Sequence, residues 1–244
     1  MIIFRAIYSI YAIFIIVSIF IGFLITCYIS RMFNKNNHQL NYKFAKLFLN
    51  IGFFLMQVKV SIKGSHNLPK NNPFILASNH QSLWDIPVLI VKIHNQLSFI
   101  AKSELNKIPI LGWSIRNCGH YLVDRNKPRK AVKQLSKIEK DLQKDKNIII
   151  FPEGTRSSSQ KILKFKRGAF KLAINANSSI IPCYINGSGK FLPKNKLLMK
   201  PTKIDIIIGK PILLSQKDKS LSHKEKEELL SEKTRQQILN LQQL

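Results

Sequence analysis

Acidic residues are scarce in this chain: 13 Asp and Glu stand against 39 Lys and Arg in 244 residues, a formal net charge of +26. A field of that sign favours anionic lipid, acidic protein or nucleic acid over cationic partners. Compositional drift contributes, since Lys, Asn and Ile are abundant together. Cysteine is scarce too. Cys27, Cys118 and Cys183 are odd in number, far apart and without a CxxC pair, which argues against a disulfide framework or a thiolate zinc site. The six histidines form no HExxH or HxxxH pair, so the sequence predicts no metal centre. A complete P-loop is missing: before Gly189-Lys190, Tyr184 stands where the first glycine belongs, and Phe191 where Ser or Thr is needed. No G-x-S-x-G elbow announces a serine nucleophile, and no internal repeat or long linker divides the chain.

What is present begins with a long apolar run. Ala6 to Ser30 carries no charge, and as a helix its 25 residues would extend roughly 37 Å, more than the roughly 30 Å of a bilayer core. A cleaved signal peptide would be shorter and end in an A-x-A-like site; a retained anchor is the expectation. Arg5 precedes the run, and Arg31, Lys35, Lys43 and Lys46 follow it. The positive-inside rule then places the bulk of the chain on the cytoplasmic side of the inner membrane. A second apolar segment, Phe44 to Met56, is helical in length but short for a span. It suits an interfacial helix, or a hairpin with the first segment that dips into one leaflet.

From residue 57 the pattern changes to short β-branched runs, at 58–62, 74–77, 97–101, 120–123, 148–151, 180–185 and 204–208. Helical periodicity falls at 86–94, 128–144, 166–176 and 223–243. This alternation predicts an α/β fold, a mostly parallel sheet flanked by helices over 57–244, preceded by an N-terminal membrane-anchoring helical region over 1–56.

Two loops carry candidate chemistry. In "NHQSLWDIP", His80 and Asp85 stand five residues apart after an apolar strand. On one continuous helix that spacing sets them roughly 140° apart. They meet only if His80 lies in the loop and the helix starts near Asp85, which Pro87 favours, since proline is tolerated in a first turn. Such a loop sits at the carboxyl end of a strand, where open α/β sheets bind ligands. Equally, Asp85 caps its helix or forms an S-x-x-D box with Ser82. In "FPEGTRSSS", from Phe151 to Ser159, glycine and serine after a strand allow N–H groups to converge on an anion, and Arg156 adds a planar fork suited to phosphate. An ordinary turn with a surface arginine fits as well.

Taken together, these residues resemble the glycerolipid acyltransferase family of 1-acylglycerol-3-phosphate acyltransferases. Its NHxxxxD motif is matched by Asn79, His80 and Asp85, and its FPEGTRS block is unbroken from Phe151 to Ser157. Between them, "AKSELNKIPILGW" matches a K-x-E-L…P-x-x-G segment at Lys102, Glu104, Leu105, Pro109 and Gly112, and "GHYLVDR" ends in the family's Asp-Arg pair, Asp124 and Arg125. "FKRGAFKLA" and "IIPCYI" follow in family order, with Gly168 and Pro182. His120-Tyr121 departs from the pattern, which is apolar there. The HxxxxD spacing alone is a weak signal; the ordered set is a strong one.

The resemblance implies transfer of an acyl group from a thioester to the sn-2 hydroxyl of lysophosphatidic acid, giving phosphatidic acid in phospholipid biosynthesis. His80 and Asp85 become the catalytic pair. Glu153, Gly154, Thr155, Arg156, Lys102 and Arg125 become acceptor-binding residues. No cofactor is implied, the thioester of acyl-CoA or acyl carrier protein being a co-substrate. The implied partners are the phospholipid membrane, lysophosphatidic acid and, for so basic a surface, an acidic acyl carrier protein. Another lysophospholipid, a lyso-ornithine lipid or glycerol 3-phosphate fits the same motifs as acceptor. From other classes, a membrane-tethered nucleic-acid-binding protein rests on charge alone; basic residues spread without interleaved aromatics or a binding module argue against it. A catalytically dead lipid-binding relative would not need the intact His80 and Asp85.

Overall fold

The computed structural model describes residues 2–33, 37–124, 126–159 and 161–244. The seven expected strands are all present: β1 (Lys59–Lys63), β2 (Phe74–Ser78), β3 (Leu97–Lys102), β4 (Tyr121–Val123), β5 (Asn147–Ile150), β6 (Ser179–Asn186) and β7 (Lys203–Ile208). They form one sheet in the order β1-β7-β6-β2-β5-β3-β4. The run from β6 to β4 is parallel throughout. β7 pairs antiparallel with β6 and parallel with β1. The central strands β2 and β5 read FILAS and NIII and are buried at every position, as strands covered on both faces must be.

The helices are α1 (Ile2–Phe33), α2 (His38–Leu55), α3 (Asp85–Lys92), α4 (Pro109–Asn117), α5 (Pro128–Lys144), α6 (Lys171–Asn175), α7 (Ser188–Phe191) and α8 (His223–Gln242). α3, α4, α5 and α6 make the successive crossovers that keep five strands parallel. All five carboxyl ends therefore open along one edge, and the loops after β2, β5 and β6 meet there.

Alternate residues of β2 and β5 face two separate apolar layers. On one face Phe74, Leu76 and Ile149 pack with α1, α2 and α3; on the other Ile75, Ala77 and Ile148 pack with α5, α6 and α8. The N-terminal half of α1 belongs to the first layer, with Tyr8, Ala12 and Ile15 buried against Phe53, Met56 and Ile206. It is pinned by polar contacts as well. The Tyr8 hydroxyl donates to the Met56 carbonyl at 2.6 Å, Arg5 donates to the Leu198 carbonyl at 3.1 Å, and Met199 N–H donates to Ser9 Oγ at 2.8 Å. The opposite face of α1, including Ile3, Ile7, Ile10, Phe14 and Ile21, is apolar and exposed. Among the described residues α1 is the one helix long and apolar enough to cross a membrane.

Several elements differ from expectation, the short α7 among them. The helix expected over 166–176 is a 3₁₀ turn, Arg167–Ala169, followed by the short α6; Gly168 lies at the break, where its backbone entropy disfavours a continuous helix. α2 starts well before Phe44, because the Asn37 side chain accepts from Leu40 N–H and caps it at His38. α4 was not anticipated. Gly112 lets it approach the preceding 3₁₀ turn, since a Cβ there would fall 2.7 Å from Asn106 Cα.

Candidate active site

α3 begins at Asp85, and its carboxylate turns back into the loop that precedes it. Oδ2 accepts Gln81 N–H at 2.8 Å and Ser82 N–H at 2.9 Å, and it meets His80 Nδ1 at 2.7 Å. The carboxylate thus ties down the loop and the histidine with one oxygen rather than capping its helix, whose N-cap residue Trp84 makes no side-chain cap bond. Asp85 is fully buried, while the His80 side chain is 18% exposed. The contact that the spacing allowed is made, in the geometry that required a loop and a helix start.

The FPEGTRS block closes around the histidine from the other side. Its phenylalanine, Phe151, stacks on the imidazole with ring centroids 4.0 Å apart and planes 18° apart. Glu153 Oε1 accepts His80 N–H at 2.9 Å, and Ser157 N–H donates to the His80 carbonyl at 2.7 Å. Every degree of freedom of His80 is therefore constrained: backbone at both polar atoms, ring face by Phe151, Nδ1 by Asp85. Asn79 ties this loop to β6, donating from Nδ2 to the Ile185 carbonyl at 2.9 Å and accepting Ile185 N–H at Oδ1 at 2.7 Å.

Glu153 stands apart from the substrate-binding role that the motif implied. It is 3% exposed, and its second oxygen accepts Leu163 N–H at 3.2 Å. Both oxygens are engaged by the protein, and a carboxylate repels a phosphate. Burial pushes its pKa up, against the two backbone donors that pull it down. Gly154 also departs from the expected anion cradle: its N–H donates to the Phe151 carbonyl at 3.0 Å. Its φ of +71° suits glycine, and a Cβ would stand 2.9 Å from Lys166 Cε and Nζ. The Lys166 amine therefore lies over the loop, a cation that the sequence reading did not single out.

Thr155 is exposed, Arg156 half-buried and Lys102 exposed at the end of β3, beyond β5 in the sheet. Neither Arg156 nor Lys102 has a carboxylate in ion-pair range among the described residues. Lys194 Nζ donates to the Arg156 carbonyl at 2.6 Å. Arg125 lies outside the described residues. Beside Gln81, a cleft of about 180 Å³ is lined by Ser157, Ser159, Gly189 and Lys194. A larger cavity of about 450 Å³ lies at the opposite sheet edge, near Gly64 and Ile208, away from this chemistry.

A histidine with one nitrogen held by a buried aspartate, at the carboxyl edge of a parallel sheet, is equipped for proton transfer. The family model described as Acyltransferase matches residues 59–186, more than half of the chain and the whole of this site's scaffold up to β6. The chain belongs to the acyltransferase family.

Relatives of this chain include a chloroplastic 1-acyl-sn-glycerol-3-phosphate acyltransferase from Arabidopsis thaliana, 32% identical over 77% of this chain and 52% of that one. The Pseudomonas aeruginosa 1-acyl-sn-glycerol-3-phosphate acyltransferase is 33% identical over 62% of this chain and 58% of its own length. The chain spans about half the length of the curated relatives it matches first. The crystal structure of the 1-acyl-sn-glycerophosphate acyltransferase from Thermotoga maritima superposes with a TM-score of 0.79 at 28% identity, covering 98% of this chain and 97% of that one.

Proposed function

We propose that the protein transfers an acyl group from a thioester to the sn-2 hydroxyl of 1-acyl-sn-glycerol 3-phosphate, giving phosphatidic acid and a free thiol. The observation that carries the proposal is the 2.7 Å contact between His80 Nδ1 and Asp85 Oδ2. A carboxylate that already accepts two backbone N–H groups acts as an acceptor towards Nδ1, so the neutral ring keeps its lone pair on Nε2. Nε2 takes the proton from the substrate hydroxyl as its oxygen attacks the thioester carbonyl. The imidazolium, stabilised by Asp85, then returns the proton to the departing thiolate. The substrate's own hydroxyl is the nucleophile, so no acyl-enzyme forms. Arg156, Lys166, Lys102 and Arg125 supply charge for the acceptor phosphate, with Thr155 at the same loop. Glu153 holds the His80 backbone, and Gly154 gives Lys166 room.

The membrane reading follows from the two apolar helices. The N-terminal half of α1 lies along the domain, and both its outer row and Leu47, Ile51 and Phe54 of α2 are exposed apolar side chains. This supports a hairpin embedded in one leaflet, with the carboxyl edge of the sheet at the lipid surface; the excess of cations after the first helix favours the cytoplasmic side of the inner membrane. A lysolipid acceptor can then reach His80 without leaving the bilayer.

Free-thiol release by detergent-purified protein tests the reading. Acyl-CoA and acyl carrier protein donors are each supplied with lysophosphatidic acid, another lysophospholipid, a lyso-ornithine lipid or glycerol 3-phosphate. Release confined to lysophosphatidic acid is the expected result. Release with a different acceptor would move the substrate and keep the chemistry; no release with any pair, in folded protein, would overturn the proposal.

A further inference from the structure

We propose that the outward face of α5 docks a small acidic protein that delivers the acyl group as a thioester; the proposal rests on the acyl-transfer reading and names its donor-side partner. Ala131, Leu135, Ile138 and Leu142 seat α5 on the sheet. Arg129, Lys130, Lys133, Lys137, Lys140 and Lys144 are all exposed. At about 100° per residue, these six positions fall within an arc of about 100°, roughly opposite the seated face. None has a carboxylate in ion-pair range among the described residues. The two acids of the helix are turned aside and occupied: Glu139 accepts from Asn175 Nδ2 at 2.7 Å, and Asp141 accepts from the Tyr121 hydroxyl at 2.8 Å. A continuous row of uncompensated cations is complementary to an acidic helix or surface, and steers its approach.

The position of α5 decides between a lipid and a protein occupant. The helix packs on the sheet face opposite α1 and α2. A bilayer that takes up the apolar row of α1 therefore lies across the sheet from the cationic row, which is left facing water. α5 also starts just beyond β4, on the same carboxyl edge as His80 and three strands across from β2, so a partner on its first turns stands on the side of the sheet from which the site opens. A soluble acidic carrier meets both conditions; a bilayer at the carboxyl edge meets the second but lies across the sheet from the cationic row.

The test uses the full-length protein and the variant Lys133→Glu/Lys137→Glu/Lys140→Glu, with the triple Gln variant as a control against like-charge strain in the helix. Thiol release is followed with palmitoyl-acyl carrier protein and with palmitoyl-CoA. The expected result is a rise of about tenfold or more in KM for the carrier-borne donor in the Glu variant and a smaller rise in the Gln variant. KM and kcat for palmitoyl-CoA should stay unchanged, and the wild-type carrier KM should rise with salt. An unchanged carrier KM overturns the docking surface while leaving the acyl-transfer reading intact. If wild type turns over neither donor, that reading fails, and titration of fluorescent acyl carrier protein decides the surface: a Kd at least tenfold weaker in the Glu variant supports it, equal Kd values overturn it. Phosphatidylglycerol vesicles and duplex DNA complete the comparison. Loss of binding to either in the variant, with carrier binding untouched, reassigns the face to lipid or nucleic acid.

Discussion

At the scale of single residues, the site is a histidine held from every side, and each contact makes its own prediction. His80→Ala should lower turnover by about 100- to 10,000-fold, the usual contribution of a positioned base, with circular dichroism and membrane partition unchanged; comparable turnover by the variant would remove the base assignment. Arg156→Ala should chiefly raise the acceptor KM, because among the described residues its guanidinium has no carboxylate partner to lose. Glu153→Gln separates a positioning residue from a phosphate ligand. One backbone donor would face an amide NH₂ in place of an oxygen, so kcat should fall about tenfold with the acceptor KM little changed. A shift in KM alone would return Glu153 to the substrate. His120 supplies a pH prediction. Packed against Phe99 and Tyr42, its pKa is pushed down from 6.5 to about 3 by burial. Below about pH 6.5 the unfolded chain binds a proton that the folded one refuses, so stability should fall as pH drops towards 3, by at most about 1.4 kcal/mol per pH unit. Denaturant melts between pH 4 and 7 should show that slope, and His120→Phe should flatten it.

At the scale of elements, α1 has two unlike faces, and the consequences differ. Its buried side is fastened by Arg5, Tyr8 and Ser9 to residues 56, 198 and 199, whereas its outer row of Ile3, Ile7, Ile10 and Phe14 is largely exposed. Each large apolar side chain moved from water into hydrocarbon contributes about 1.5–3 kcal/mol. Ile10→Lys/Phe14→Lys should therefore reduce flotation with liposomes at least tenfold and leave thermal unfolding nearly unchanged. α3 shows how little helix a site needs. Its first residue supplies the carboxylate, and its remaining turns bury Val88, Leu89 and Val91 to hold that residue still.

At the scale of the whole molecule, the packing runs across the expected boundary at residues 56 and 57: Tyr8, Ala12 and Phe53 share one core with the sheet. Removing residues 2–55 would uncover Met56, Val58 and Ile206, so the remainder should lose its cooperative melt rather than behave as a soluble domain. Full-length protein in detergent should unfold in one transition. Two separate transitions would make the helices a mere appendage.

Strand positions, the α/β class and the His80–Asp85 pair were legible in the sequence, because each rests on short-range physics: β-branched apolar runs, a turn-forming loop and a proline that marks a helix start. The break at Gly168 and the early start of α2 at Asn37 were there to be read as well, through a glycine and a capping residue. What the tertiary structure alone decided is long-range. Asn79 finds Ile185 across 106 residues, and Glu153 meets His80 across 73. No local pattern distinguishes a carboxylate that will accept a distant backbone N–H from one that will face a substrate. That depends on which strand ends the sheet order brings together, and only the folded order β6-β2-β5 set the three loops side by side.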